Sequence, residues 1–171
     1  MDNTGGAAVN DIYFDVVISE NALAVGIQTV RSEIWYQNMA GRGSTNAGIP
    51  YYTTLKLLTG NAYTTSNSST NGLSIVINEA GIYSITYLSK LTANLVFGIT
   101  LNETAGTLTG NFTSVAAGEI IAAGVNAASN DPHTTTITLE LKPGDIIRPH
   151  TQTSATNSGT YDGFRITKVA N

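Results

Sequence analysis

The chain has 171 residues, of which 42% are hydrophobic and none is cysteine, and its formal net charge is −4. This length is enough for one buried core without disulfides or metals, and the lack of cysteine excludes a disulfide framework, a thiolate nucleophile and a zinc–thiolate site. Only 12% of the residues are charged and no basic run occurs, so nucleic acid is not an expected partner.

The sequence also carries no signal for a membrane or for secretion. No apolar stretch approaches the roughly 18 residues that a membrane span needs. The opening residues MDNTGGAAVND lack the basic and apolar regions of a secretory signal. We therefore expect a protein made in the cytoplasm without a signal peptide and without a membrane partner.

Short apolar runs alternate with clusters of Gly, Asn, Ser and Thr along the chain, which is typical of an all-β sandwich or barrel. A helix is the alternative for residues 19–39, because Ser19 can cap it and an apolar stripe follows at helical spacing. Gly26 and the β-branched residues favour an extended chain there. The predicted strands span residues 12–18, 25–37, 53–60, 73–78, 82–90, 94–102, 118–126, 135–142, 145–152 and 163–169.

The stretch NAYTTSNSSTNG, residues 61–72, is polar and has no periodicity. It is therefore predicted to be a long surface connection.

Residues 79–90, EAGIYSITYLSK, alternate strictly from Ile82 onward. Tyr83 and Tyr87 lie on one predicted face with Ile85, which indicates a strand with one better-buried side. Gly81 supplies the backbone freedom for a turn after the preceding strand. That turn is either a hairpin or a corner between two sheets.

The stretch LELKPGDIIRPH, residues 139–150, predicts a turn between two strands. Proline at 143 and glycine at 144 suit the two central positions of a type II turn, so a hairpin is expected. Asp145 is expected to cap this turn. Pro149 cannot donate a backbone hydrogen bond, which predicts that the following strand lies at a sheet edge or ends there.

The sequence offers little for catalysis or metal binding. It contains no nucleophile elbow, zinc-binding helix motif or phosphate loop, and His133 and His150 are expected to be solvated or unremarkable. Calcium is the one cofactor considered, because Asp131, Asp145 and Asp162 fall on predicted loops. Their spacing matches no calcium motif, so solvated or structural roles are favoured and no cofactor is expected.

Four motifs occur in order along the second part of the chain: Gly81-x-Tyr83, Leu101-Asn102 before a Gly/Thr-rich loop, LELKPGD with Gly144 and Asp145, and Gly163-Phe164-Arg165-Ile166. With these motifs, residues 50 to 170 resemble the jelly roll of the tumour-necrosis-factor and complement globular-head (C1q-like) superfamily. The resemblance is to the short cysteine-free form of phage virion proteins and spore-surface collagen-like glycoproteins.

The resemblance implies a ten-stranded antiparallel jelly-roll sandwich that assembles as a homotrimer, with the Tyr83 strand in the sheet that meets the other subunits. Residues 50–171 would form this domain, and residues 1–49 would be an N-terminal attachment segment. The residues expected at an interface or attachment surface are Tyr13, Phe14, Trp35, Tyr36, Tyr83 and Tyr87.

The function implied is that of a non-enzymatic structural protein on a phage virion surface. A capsid decoration or head-fibre protein, bound to a virion protein such as the major capsid protein, is the leading interpretation. The first alternative is a tail-fibre or baseplate tip that binds a host-surface glycan or protein through loops 61–72 and 153–160. A spore-surface protein is the second alternative, and the lack of a collagen-like tract weighs against it.

Overall fold

The computed structural model describes residues 31–92, 95–126, 131–152 and 161–171. Within these ranges the chain is almost entirely β, with one short 3₁₀ helix at Phe112–Ser114, and no helix there is long and apolar enough to cross a membrane. The strands are β1 (Glu33–Arg42), β2 (Pro50–Thr59), β3 (Tyr63–Ser68), β4 (Gly72–Ile77), β5 (Gly81–Ser89), β6 (Val96–Leu101), β7 (Ile120–Val125), β8 (His133–Leu141), β9 (Ile146–Thr151) and β10 (Gly163–Ala170).

The ten strands form two five-stranded sheets in which every pairing is antiparallel. Sheet A has the order β2-β1-β10-β5-β8, and sheet B has the order β3-β4-β9-β6-β7. The predicted ten-stranded antiparallel jelly roll is confirmed.

The core lies between the two sheets and is rich in aromatic side chains. Tyr83, Ile85 and Tyr87 of β5 are fully buried, whereas Ile82 is exposed, as the alternation predicts. The ring of Tyr87 meets Phe97 of sheet B at 5.2 Å and Phe164 of sheet A at 5.7 Å, both in edge-to-face geometry. Such pairs stabilise a core beyond the area they bury. Phe164 is fully buried as well.

The domain boundary expected at 49/50 is wrong, because β1 is an integral strand of sheet A. It lies between β2 and β10, and its residues Ile34 and Tyr36 point into the core. The compact unit that holds the sandwich begins at Arg31. An extended conformation is confirmed from Glu33 onward, and the predicted strand at 12–18 lies outside the described residues.

The stretch 61–72 is not one long connection, since it contains β3. This strand is polar because it forms the edge of sheet B and needs few buried groups. Tyr63 supplies the anchor: its ring packs against Tyr83 at 5.9 Å and its hydroxyl donates to the Ser32 carbonyl at 2.9 Å. A segment with one inward-facing aromatic residue has too little alternation to be recognised from sequence.

Both predicted turns connect the two sheets. Residues 78–81 lead from β4 in sheet B to β5 in sheet A. Of the two predicted alternatives for this turn, the corner between sheets is therefore confirmed and the hairpin is wrong. The type II turn at 142–145 is present, with the Asp145 amide donating to the Lys142 carbonyl at 3.1 Å and Gly144 at φ 93°. It nevertheless joins β8 of sheet A to β9 of sheet B, so the expected hairpin there is wrong.

The prediction of an edge strand around Pro149 is also wrong, because β9 is the central strand of sheet B. The pairing of β9 with β4 ends at Ile147. Pro149 is the next residue of β9 whose backbone nitrogen points toward the β4 side of the strand. The missing N–H therefore falls where the β4 ladder has already ended. A central strand tolerates proline at such a position.

Candidate functional site

Three of the six aromatic residues predicted for an interface lie in the core. Tyr36, Tyr83 and Tyr87 are at most 6% exposed, and all three face the interior. The Tyr83 hydroxyl donates to the Glu79 carbonyl at 2.6 Å, and burial, helped by the charge of Glu79, raises the pKa of Tyr83 to about 12. These tyrosines therefore stabilise the sandwich and are not contact residues. Tyr13 and Phe14 lie outside the described residues.

The motif residues that carried the resemblance have structural roles. A Cβ at Gly81 would lie 2.5 Å from the Ala170 carbonyl oxygen, and one at Gly163 would lie 2.9 Å from the Tyr36 carbonyl oxygen. The Asp145 carboxylate accepts from the Lys142 amide and from the Asn102 side-chain amide, both at 2.9 Å. Asp145 thus caps its turn and links the turn by a hydrogen bond to Asn102 at the end of β6, which is a structural role.

We call the outward side of sheet A the sheet A face. Residues directly opposite each other in neighbouring antiparallel strands share a face. One row across this face therefore contains Leu57, Trp35, Arg165, Thr86 and Thr136. The neighbouring row contains Thr59, Glu33, Thr167, Ser84 and Thr138. Hydroxyl groups occupy the middle of the face.

Charges on the sheet A face are paired with each other. The Arg165 Nε lies 2.5 Å from the Glu33 carboxylate, and the guanidinium lies 6.0 Å from the centre of the half-buried Trp35 ring. Arg31 approaches the other oxygen of Glu33 at 3.7 Å. A shallow cavity of about 170 Å³ lies beside these groups, lined by Arg31, Ser84, Thr86, Arg165, Thr167 and Val169. This set can bind polar groups but contains no acid–base pair for catalysis.

Apolar side chains are exposed on and beside the sheet A face. Ile82 is 39% exposed and Val169 is 50% exposed on β5 and β10. Leu57 on the edge strand β2 is 36% exposed, and its neighbours Leu55 and Leu58 are exposed as well.

The outward side of sheet B is covered by the chain itself, through residues 102–119, which we call the covering segment. Its side chains Leu108, Phe112 and Val115 are buried. Phe112 lies directly over β6, because a Cβ at Gly98 would come within 2.3 Å of its ring. The Gly48 amide also donates to the Leu108 carbonyl at 2.9 Å. Sheet B therefore has a second, smaller apolar cluster on its outer side.

A buried ion pair joins the covering segment to β9. His150 Nδ1 lies 2.9 Å from Glu103 Oε1, and neither side chain is exposed to solvent. Burial on its own would raise the pKa of Glu103, but the hydrogen bond and charge of His150, with the hydroxyls of Thr100 and Thr107, hold that pKa below its usual value. His150 is thus a structural residue at the centre of a polar cluster, and the expectation that it is unremarkable is wrong.

This pair does not form a catalytic site. The second ring nitrogen of His150 faces the Gly110 carbonyl at 3.1 Å, where a nucleophile would have to stand. In the part of the chain that the structure describes, no three His, Asp or Glu residues cluster as metal ligands. The calcium candidates Asp145 and Asp162 lie at opposite ends of sheet A, since Leu141 pairs with Gly81 and Gly163 pairs with Leu88.

Solved structures of murine APRIL have the same architecture as this chain. The structure at pH 8.5 matches with a TM-score of 0.56 and 13% sequence identity, over 81% of this chain and 99% of that chain. The structures at pH 8.0 and pH 5.0 each match with a TM-score of 0.53, at 14% and 12% identity and with the same coverage. The fold is a tumour-necrosis-factor-like jelly roll. No protein-family model matches the chain, and no curated protein sequence does.

The jelly-roll resemblance predicted from the four motifs is confirmed at the level of fold. An identity of 12 to 14% carries no more than the fold. For this jelly roll the sheet A face is the candidate functional site, because it combines exposed apolar side chains with a fixed polar centre. The sequence indicated β5 as a strand of the assembling sheet, but it did not reveal Glu33, Arg165 or the cavity beside them, because these come together only through strand pairing.

Proposed function

We propose that this protein is a trimeric, non-enzymatic structural jelly roll of a phage virion, acting as a capsid decoration or head-fibre protein. In this proposal the sheet A face is the subunit interface. The observation that carries it is the contrast between the two outer faces: among the described residues, the covering segment lies on sheet B, whereas apolar side chains are exposed on sheet A.

The composition of the sheet A face supports a subunit interface. Single exposed apolar residues are ordinary on a monomer, but an apolar group on one face marks an interaction site. Trp35 and Arg165 belong to the residue types that are enriched in such interfaces. The Arg165 guanidinium is already paired with Glu33, so burying it against another subunit leaves no unpaired charge.

In a cyclic trimer the sheet A face of each subunit packs against a different surface of the next subunit. Each subunit presents one surface to the next, and the assembly closes after three copies without leaving an apolar face exposed. Obligate interfaces of this kind commonly bury more than about 2,000 Å². Separated subunits are then scarcely populated at micromolar concentration.

Attachment to the virion is assigned to the residues that precede the sandwich. Residues 1–30 precede the unit that forms the jelly roll and contain Tyr13, Phe14 and further apolar residues, which are too many for a solvated tail. Three such arms on one trimer would bind a virion protein such as the major capsid protein with avidity. The attachment segment is therefore shorter than the 1–49 predicted from sequence, because β1 belongs to sheet A.

The test uses the full chain and a deletion of residues 2–30, which ends before β1. Sedimentation equilibrium gives the mass of each, and cosedimentation with capsids that lack this protein gives attachment. We expect both proteins to be trimers and only the full chain to bind capsids. A monomeric full chain would overturn the assembly, and binding by the deletion variant would overturn the attachment role.

A receptor- or glycan-binding tip is the second candidate function. Tyr161 is 64% exposed, and the Lys90 ammonium lies 5.0 Å from its ring centre. An exposed aromatic ring beside a cation is a surface on which a sugar can stack. A glycan array with the full chain and with Tyr161→Ala distinguishes the two functions, because a purely architectural protein gives no signal that depends on Tyr161.

A further inference from the structure

The charged cluster on the sheet A face carries more positive than negative charge. Arg165 Nε lies 2.5 Å from one oxygen of Glu33, and Arg31 Nε lies 3.7 Å from the other. A single carboxylate compensates only one of the two guanidinium groups. The surplus belongs to Arg31, which is the more distant of the two and whose side chain is 64% exposed.

The cavity beside this cluster is lined by groups that can bind a carboxylate. Arg31 and Arg165 both border it, and a guanidinium that directs its Nε elsewhere still has N–H donors in its fork. Such a fork binds a carboxylate through two charge-assisted hydrogen bonds. The cavity has a volume of about 170 Å³, and its remaining polar lining consists of the hydroxyl groups of Ser84, Thr86 and Thr167.

A carboxylate lies at the other end of the same row of side chains. Val169 lines the cavity with Arg31, and the bulge that contains Val169 brings it next to Ile82 of β5. Ile82 pairs in turn with Glu140 of the edge strand β8. The row therefore begins with a cation beside β1, continues through two exposed apolar residues and ends with the exposed carboxylate of Glu140.

The two ends of this row are too far apart to meet within one subunit. Strands β10 and β5 lie between β1 and β8, so three strand spacings, or about 14 Å, separate the ends. An ion pair needs its charged atoms within about 4 Å. Val169 and Ile82 also stand between the two charges.

Glu140 is the acidic residue best placed to bind outside its own subunit. In the described ranges, Glu33 and Glu79 lie in ion pairs, Glu119 accepts from the Thr104 amide, and Glu103, Asp145 and Asp162 are buried. The two that remain are Asp131 and Glu140, both exposed. Asp131 lies in the connection before β8, whereas Glu140 lies on the sheet A face.

We propose that the cavity between Arg31 and Arg165 binds the Glu140 carboxylate of a second copy of this chain. The inference rests on the proposed trimer. A cyclic assembly places one surface of each subunit against a different surface of the next, so opposite charges at the two ends of one row can pair around the ring. Each subunit then gives Glu140 to one neighbour and its cavity to the other. This pairing fixes the orientation of the subunits in the trimer.

Cross-linking tests whether the two positions meet between subunits. The chain contains no cysteine, so an Arg31→Cys chain and a Glu140→Cys chain each carry a single thiol. The two chains are co-expressed and treated with a short bifunctional maleimide. We expect covalently linked pairs of chains in the mixture and not with either variant alone. A trimeric mixture without this product would overturn the contact, and so would equal linking by one variant alone.

Neutral variants measure what the contact contributes. Arg31→Gln and Glu140→Gln should each raise the protein concentration at which half of the trimer dissociates by about tenfold or more, as measured by sedimentation equilibrium. The double variant should be no weaker than the weaker single variant, because the two residues act as one pair. Effects that multiply in the double variant would overturn the pairing.

Matched controls remove the same charges elsewhere. Asp131→Asn and Lys142→Gln change exposed residues that lie outside the row, and dissociation should be unchanged in both. If Asp131→Asn weakened the trimer as much as Glu140→Gln, the effect would follow net charge and the proposal would be wrong.

A small anion from solution is the competing occupant of the cavity. Inorganic sulfate would then stabilise the trimer, and Arg31→Gln would weaken it while Glu140→Gln would not, which would overturn the proposal. The state of the unmodified full chain separates the two levels of inference. A monomer would overturn the proposed trimer and this contact together, whereas a trimer without the cross-link would overturn the contact alone.

Discussion

The strands of sheet A have 8 to 10 residues and those of sheet B have 6, and the two outer faces are finished in different ways. The sheet A face carries exposed Ile82 and Val169 around a row of hydroxyl groups. On sheet B, the chain itself supplies Phe112 and a buried ion pair as a cover. Within the described ranges the two faces therefore differ, and the proposed assembly uses the sheet A face. The following predictions test this difference between the two faces.

The largest effect is expected in the core that both sheets share. Phe164→Ala removes a fully buried ring that packs against Tyr87, and we expect the free energy of unfolding to fall by about 3–5 kcal/mol. Chemical denaturation at fixed protein concentration measures it. Val125→Ala is the control, since Val125 is exposed on β7 and its loss should cost less than about 0.5 kcal/mol. A loss below about 1 kcal/mol for Phe164→Ala would contradict the packing.

Loss of the buried ring in the covering segment should lower the stability of the protein, with the effect on hydrogen exchange limited to that segment. Phe112→Ala empties the apolar cluster on sheet B and should lower the free energy of unfolding by about 3 kcal/mol, at the low end for a buried phenylalanine. Hydrogen exchange should increase in residues 102–119 and stay unchanged in β5. An equal increase in both regions would mean that the cover and the core do not unfold separately.

Acid should weaken the covered face through Glu103. The pKa of this carboxyl is lowered in the folded protein, so its contribution is present above the ordinary glutamate pKa and is lost as the pH falls through the folded value. Glu103→Gln removes this titration. Between about pH 6 and about pH 3, the unfolding free energy of the unmodified protein should therefore fall more steeply than that of the variant. Parallel curves would show that Glu103 contributes nothing to the acid sensitivity.

The smallest effect on the fold is expected from a change on the open face. Ile82→Lys places a charge among the exposed apolar groups and should convert the proposed trimer into monomers while near-ultraviolet circular dichroism stays unchanged. Sedimentation equilibrium measures the mass. Val125→Lys is the matched control, because Val125 is exposed outside the sheet A face and should leave the trimer intact. Dissociation by both variants, or by neither, would remove the special role of the sheet A face.

The sequence was most informative where a single strand carries its own pattern. The alternation around Tyr83 predicted the buried side of β5, and proline and glycine at 143 and 144 predicted the type II turn. Both are local signals. The sheet to which each strand belongs does not depend on local sequence. For this reason the corner at 142–145 was predicted to be a hairpin, and the corner at 78–81 was left open between a hairpin and a corner.

The features missed from the sequence depend on residues far apart in the chain. Glu103 and His150 are 47 positions apart (150 − 103), and neither has a neighbour in sequence that identifies it as one half of a buried pair. Strand β3 escaped recognition because an edge strand needs only Tyr63 to anchor it. The polar centre of the sheet A face could likewise not be predicted from the sequence, since Arg165 and Glu33 become neighbours only when β10 pairs with β1.

The position of β10 has a consequence for the order of folding. This strand lies between β1 and β5, although it is the last strand of the chain to be synthesised. The pairs β1–β2, β3–β4 and β6–β7 are local and can form early, whereas the second edge of β1 has to wait for β10, more than about a hundred residues away. During translation, the growing chain therefore holds β1 and β5 as unpaired edges, which are aggregation-prone. Sheet A closes only after β10 has emerged from the ribosome.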